Sequence, residues 1–205
     1  MRLYERYVLP YLTHLGMRGA RPARERARIV PQASGVVLEI GVGSALNVPY
    51  YGRAVERLYA VDPSRELWRL GRIRAATARF PITFIAGPAE RIPLADATAD
   101  TAVSTWTLCT IPDPSRALAE VRRVLRPGAR FLFVEHGVAP DPSVRAWQDR
   151  LTPAWRRVAG NCHLNRQIDR LITDAGLRIA QLDRSYAGPV KVVAYLYRGI
   201  AFSDG

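Results

Sequence analysis

The chain has 205 residues, 48% of them hydrophobic, and a formal net charge of +12. That length suits one domain with a real core and leaves two α/β domains cramped. Its apolar runs fall far short of a membrane span, and its start lacks the pattern of a secretory signal, so a cytoplasmic protein is expected.

In chain order, residues 2–30 read as helical in two pieces, broken around Gly16 to Pro22. Tyr4, Tyr7, Val8, Tyr11, Leu12 and Leu15 share one helical face, which Pro10 kinks or splits. The period then changes. The segments 36–40, 58–61, 82–86, 101–105 and 130–135 are rich in β-branched and bulky apolar residues, as strands buried on both faces require. Between them, Ser64 is placed to cap a helix running to Ala76. Asp113 caps another running to Leu125, with Pro114 at its first position. Residues 126–129 read as a turn feeding the next strand. Beyond an irregular, partly helical stretch at 138–164 comes a helix from Asn165 to Ala175, closed by Gly176. Two strands that can pair antiparallel at the sheet edge follow. Strands alternating with helices imply a parallel sheet covered on both faces.

The stretch from Val36 to Tyr51 carries most chemistry. A strand runs into Gly41-Val42-Gly43, where glycine backbones can turn sharply and approach a ligand closely, and a helix start is expected next. Asp62 ends the second strand 21 positions after Gly41, where a carboxylate can accept both hydroxyls of a ribose. Glu39, two residues before the turn, would repel a pyrophosphate and suits an amino group instead. Leu46 also occupies the third glycine position of a dinucleotide fingerprint. The ligand that satisfies these features is a cationic nucleoside without phosphate, S-adenosylmethionine.

The segments "LEIGVGSALN", "AVDPS", "GPAERIPLADATADTAVSTWTLCTI" and "EVRRVLRPGARFLFVEH" resemble the consecutive motifs of class I S-adenosylmethionine-dependent methyltransferases, from about Val36 to His136. The resemblance implies a Rossmann-like α/β fold: a seven-stranded, mostly parallel sheet with the last strand antiparallel and helices on both faces. It implies that Glu39, Gly41 and Gly43 surround the methionyl part, that Asp62 holds the ribose, and that Ala89 and Glu90 meet the adenine. Thr105 and Trp106 would lie beneath the sulfonium, with Asn47 and Pro63 among the further cofactor contacts. Two positions depart from the pattern. Gly87-Pro88-Ala89 lacks the acid that usually meets the adenine amine, for which Glu90 substitutes, and Ala45 stands where a third glycine is common. The implied division is 1–30 as a helical cover or membrane-contacting segment and 31–205 as the methyltransferase domain, with 138–164 covering the acceptor side.

Within that class, "TLCTI", "FVEHGVAP" and "LTPAWRRVAGNCHLNR" are similar to segments of the small microsomal alkyl-thiol methyltransferases and their bacterial relatives. The microsomal enzymes' hydrophobic anchor is not in this sequence. Bacterial phospholipid N-methyltransferases are a competing resemblance, sharing the size and the basic N-terminal helix. The acceptor implied is a small apolar thiol. The alternatives are phosphatidylethanolamine at a membrane surface and, further off, a quinone precursor, a nucleic acid, or no catalysis and mere nucleoside binding. Nucleic acid is disfavoured because no Asn-Pro-Pro-Tyr or Asp-Pro-Pro-Tyr follows the fourth strand.

Methyl transfer is an in-line displacement in which positioning dominates, with a general base needed only to take a proton. His136 and His163 are the candidate bases; the plain reading of His136 is a histidine hydrogen-bonded to backbone at a strand end, and that of His163 an exposed loop histidine. Trp106, Trp147 and Trp155 line an apolar pocket or simply pack. Cys109 and Cys162 match neither a disulfide framework nor a zinc spacing, so no metal is expected. All basic residues but Lys191 are arginines, read as a solvated basic surface, with an anionic membrane as the alternative partner of residues 18–28. The N-terminal segment is read as a lid over the cofactor in preference to a membrane anchor.

Overall fold

The computed structural model describes residues 2–204. Seven strands form one sheet: β1 (Gly35–Ile40), β2 (Val55–Asp62), β3 (Ile82–Ala86), β4 (Ala99–Thr105), β5 (Leu125–His136), β6 (Leu177–Tyr186) and β7 (Tyr195–Ser203). Their order is β3-β2-β1-β4-β5-β7-β6. The first five pair in parallel, while β7 runs antiparallel to both β5 and β6. This is the sheet implied by the resemblance. Eight helices accompany it among the described residues: α1 (Arg2–Tyr7), α2 (Leu9–Met17), α3 (Ala20–Ile29), α4 (Arg65–Ala76), α5 (Pro114–Val124), α6 (Pro142–Val158), α7 (Ile168–Asp174) and α8 (Lys191–Ala194).

Alternation along each strand divides the core into two layers. Leu38, Ile40, Ala102, Phe131 and Phe133 face α5 and α7, burying Leu118, Val121, Ile168 and Ile172. Val37, Val103, Leu132 and Val134 face the other way, toward Ile29 of α3 and Trp68 of α4. Both expected caps form: the Ser64 hydroxyl accepts the Leu67 N–H at 3.1 Å, and Asp113 accepts the Arg116 N–H at 3.0 Å. Gly176 closes α7 with φ +78.

The structure departs from the expectations in five places. No α-helix follows the glycine turn; the chain makes turns and a single 3₁₀ turn at Val48–Tyr50 before β2, because Pro49 and Gly52 interrupt a short connection. The N-terminal segment has three helices, and the first break falls at Val8, which leaves Pro10 in the opening turn of α2, where no N–H is needed. Residues 126–129 form an excursion within β5: Ala99 pairs with Leu125 and Thr101 already with Arg130, Gly128 turning at φ +75. The cover is more regular than expected, because α6 passes straight through Pro153. Pro153 and Asp149 are both exposed, so the carbonyl that loses its donor is left to solvent. Finally, β7 begins only at Tyr195, because Lys191–Ala194 form the short α8, while β6 and β7 make the expected antiparallel pair at the sheet edge.

Met1 of the 1–30 segment lies outside the described residues. Among the described residues, no helix is long and apolar enough to cross a membrane.

Candidate functional site

The carboxyl ends of β1, β2 and β4 meet at the glycine turn. Gly41 and Gly43 have φ +73 and +51, and a Cβ on Gly41 would collide with the Thr107 side chain. Only glycine fits there. Ala45 shares the left-handed region at φ 57 and Trp106, at the end of β4, lies there at φ 52. For a bulky aromatic that conformation is costly and marks a constrained position.

Glu39 is 1% exposed. Its carboxylate accepts Asn47 Nδ2 at 2.8 Å and the Tyr51 hydroxyl at 2.7 Å. Asn47 Nδ2 also reaches Thr105 Oγ1 at 3.1 Å, which ties the turn to the end of β4. Burial pushes the Glu39 carboxyl up to about 7 against these hydrogen bonds and the nearby Arg26. Asp62 accepts the Gly43 N–H at 2.8 Å through one oxygen and the Ser64 N–H at 2.7 Å through the other. Burial raises its pKa as well, partly offset by those two N–H groups. The structure therefore gathers Glu39, Gly41, Gly43, Asn47, Asp62, Thr105 and Trp106 in one neighbourhood. Pro63 follows Asp62 but is exposed. Ala89 is buried, while the Glu90 carboxylate accepts the Asp113 N–H at the start of α5, at 3.3 Å.

Arg26 also belongs here. It is only 5% exposed, not part of the solvated surface read from the sequence. Its Nε donates to Asn47 Oδ1 at 2.9 Å, its Nη1 donates to the Met17 carbonyl at 2.8 Å, and its guanidinium lies 5.1 Å over the Trp106 ring. Burial lowers its pKa to about 10, with Glu39 holding it up, so it remains charged at neutral pH. His14 of α2 is 2.7 Å from the Ser44 hydroxyl, and Tyr4 donates to the Val158 carbonyl of α6 at 2.6 Å. Polar groups thus tie the first three helices to the glycine turn and to the cover. Nothing in the arginine-rich run 18–28 marks Arg26 apart, apart from its place on the helical face opposite Arg24 and Arg28.

The carboxyl ends of β4 and β5 frame a second neighbourhood. Glu135 is fully buried; it accepts the Ser104 hydroxyl at 2.6 Å and the backbone N–H of Thr107 at 3.0 Å and of Cys109 at 3.4 Å. Burial pushes its carboxyl up to about 7. The loop it pins presents Cys109, whose sulfur is 3.7 Å from that of Cys162. A ring nitrogen of His136 joins them, all three atoms lying within 4.8 Å of one another. Contact with Cys162 and burial push the Cys109 thiol up, and the same contact holds Cys162 down, helped by His136. Leu164 and Trp155 complete an apolar wall. His163 donates its backbone N–H to the Cys109 carbonyl at 2.8 Å, with its ring Nδ1 3.3 Å from the same oxygen. Burial lowers its pKa, with Arg166 adding to the effect. Trp147 is exposed, under Arg150, and lines nothing here. A cavity of about 610 Å³ lies apart from both neighbourhoods, between Ala139, Arg145, Gln167, Arg184 and Tyr195.

The fit to a cationic nucleoside rests on these groups: two buried acids, a turn that admits no Cβ, and a strained aromatic at the end of β4. Residues 38–133 match the family model described as "Methyltransferase domain". That segment holds the glycine turn, Asp62 and the end of β4, so this part of the chain is similar to a methyltransferase domain, and the group that its residues fit is S-adenosylmethionine.

Among known proteins it is similar to the human thiol S-methyltransferase TMT1B, with 33% identity over 158 residues, 74% of this chain and 64% of that protein. The chain thus spans less than two thirds of that relative's length. It is also similar to phosphatidylethanolamine N-methyltransferase of Cereibacter sphaeroides, with 28% identity over 184 residues and 88% of each chain. The solved structure of 1,6-didemethyltoxoflavin-N1-methyltransferase from Burkholderia thailandensis shares the fold, with a TM-score of 0.65 at 19% identity, covering 93% of this chain and 81% of that one.

Proposed function

We propose that the protein is a methyltransferase whose acceptor is a small apolar thiol. The observation that carries this reading is the acceptor-side wall of Cys109, Cys162, Leu164 and Trp155 beside His136, an environment suited to a soft, apolar sulfur. The similarity to a thiol S-methyltransferase supports it. When bound, the cofactor supplies an activated methyl group. The chain's own residues hold and orient it: Gly41 and Gly43 through backbone, Asp62 at the ribose, and Asn47 with Thr105 at the methionyl end. Glu39 holds Asn47 in place from beneath. Arg26 is suited to the cofactor's carboxylate, and Trp106 to the sulfonium. Pro63, Ala89 and Glu90 flank the nucleoside. The proton of the acceptor thiol leaves at the His136–Cys162 cluster, with His163 behind it.

A screen with labelled cofactor against alkyl thiols, phosphatidylethanolamine vesicles and quinone precursors tests this. Methylation of thiols is expected, faster as pH rises toward a thiol pKa of about 8.5. Turnover of the phospholipid with no thiol methylated overturns it.

A second reading has its own observation. Leu3, Tyr7, Tyr11, Leu12 and Leu15 of α1 and α2 are exposed, an apolar face turned outward while His14 and Arg26 face the turn. Such a face beside arginines suits an anionic membrane, and so a lipid acceptor. Sedimentation with anionic but not neutral vesicles is the expected result on that reading; no sedimentation with either removes it.

A further inference from the structure

Cys109, His136 and Cys162 arrive from three separate segments: the loop after β4, the end of β5, and the connection between α6 and α7. No spacing in the sequence announces them as a set, yet their ligand atoms converge within 4.8 Å. The separation of the sulfurs is informative. A disulfide would need about 2.05 Å. Two thiolates on one tetrahedral zinc, each about 2.3 Å from the ion, stand roughly 3.8 Å apart. The observed 3.7 Å, a thiol–thiol hydrogen-bond contact, leaves the sulfurs spaced so that one zinc can bind both without their moving apart.

We propose that Cys109, His136 and Cys162 form a three-ligand site for a soft divalent transition metal, zinc foremost, with the fourth position open on the acceptor side. Two thiolates and one imidazole are a donor set that zinc accepts, and three protein ligands with an open position is the pattern of a reactive site, not a purely structural one. The surroundings hold the donors in place. Glu135 pins the Cys109 loop through backbone N–H groups, and the His163 N–H fixes the Cys109 carbonyl to the segment carrying Cys162. The indole N–H of Trp155 is buried without a hydrogen-bond partner beside this cluster. Two thiolates also neutralise a dication, so the nearby Arg166, which donates to the Leu108 carbonyl, meets no added charge.

The open position gives the site a role in the proposed reaction, and this part rests on the thiol-acceptor reading. An acceptor thiol binding there forms a sulfur–metal bond as its S–H bond breaks, and the proton passes to solvent. The coordinated sulfur then takes the methyl group, a carbon–sulfur bond forming as the cofactor's sulfonium–methyl bond breaks. The methylated thioether leaves the metal and the demethylated cofactor is the other product, with His136 as ligand in place of base. Cobalt(II) reports on all of this without turnover. Full-length protein, freed of metal by chelator in a phosphine reductant, should take up one cobalt per chain. It should show thiolate-to-cobalt charge transfer with the intense ligand-field bands of a tetrahedral ion, and zinc should displace it. Cys109→Ser and Cys162→Ser should each weaken binding by about a hundredfold or more and diminish the charge-transfer band. X-ray absorption on the unmutated zinc form, expected to give two sulfurs and one protein nitrogen, keeps the question answerable if a variant fails to fold. No binding at micromolar metal, a spectrum without sulfur ligands, or unchanged binding by Cys162→Ser overturns the site. If cobalt binds but added alkyl thiol leaves its spectrum unchanged, the thiol-coordination step falls and the metal site stands. If the thiol shifts the spectrum yet the labelled-cofactor screen methylates no thiol, the acceptor reading fails on its own.

Discussion

Glu39 and Glu135 stand at the carboxyl ends of β1 and β5, both fully buried and both pushed up to about 7 by that burial. They differ in what they hold. Glu39 is met only by side chains, Asn47 and Tyr51. Glu135 receives one side chain, Ser104, and two backbone N–H groups of the loop 107–109. A side chain that loses its partner can turn toward another; a backbone N–H fixed in a loop cannot. The neighbourhood of Glu39, proposed as the donor half of the site, is therefore adjustable around its acid, and that of Glu135, proposed as the acceptor half, is built upon its own.

Truncating the two acids should break the symmetry most visibly. Glu135→Ala is expected to cost about 2–5 kcal/mol in urea unfolding, since the Thr107 and Cys109 N–H groups lose a buried acceptor. Glu39→Ala should cost less, about 1–3 kcal/mol, and equal losses would erase the distinction. The halves should also separate in binding. By calorimetry, Asp62→Ala weakens S-adenosylmethionine binding by roughly 1–3 kcal/mol, with little affinity for NAD in either form, whereas Glu135→Gln leaves cofactor affinity near that of the parent. Unchanged affinity in Asp62→Ala would remove Asp62 from the site.

A finer test uses pH. Because both folded-state carboxyls titrate near 7, above an ordinary value of 4.5, the unfolded chain gives up these protons first. Stability of the cofactor-free protein therefore contains a component that is full below about pH 4.5 and is lost as pH rises through about 7. Glu39→Gln removes half of that component. Its amide can still accept from Asn47, and its NH₂ can donate to the Tyr51 oxygen, so it should match the parent near pH 4.5 and exceed it at pH 8 in parallel unfolding curves. A parent-like slope would mean Glu39 is ionised throughout. The smallest effect lies on the outer face of α2: Leu12→Ser with Leu15→Ser, both exposed, should shift unfolding by less than about 0.5 kcal/mol. A larger loss would show that face to be packed.

The donor half was legible because its chemistry is local in sequence. An acid, two glycines and a strand-terminal Asp62 follow one another within two strands, and the buried strands carry an unbroken apolar signal. Ser64 and Asp113 announced their caps for the same reason. The acceptor half was not legible. Cys109, His136 and Cys162 are juxtaposed only by the order of β4 and β5 and by the return of the chain after α6. Arg26 was hidden among arginines of the same helix, since only tertiary packing decides which guanidinium turns inward. The regularity of α6 was concealed by its prolines: Pro142 sits in the first turn, where no N–H is needed, and the carbonyl orphaned by Pro153 is left to solvent. For the helix expected after Gly43, periodicity was a weaker guide than the shortness of the connection.

β7 follows β6 in the chain yet stands between β5 and β6. Until β7 is in place β5 keeps an unpaired edge, and that edge is the one near which β6 settles. A nascent chain stalled just after Tyr186 would display that edge to other strands, a template for mispairing. Closure of the sheet thus waits on β7, and a partner that shields β5 until β7 docks would protect the whole sheet.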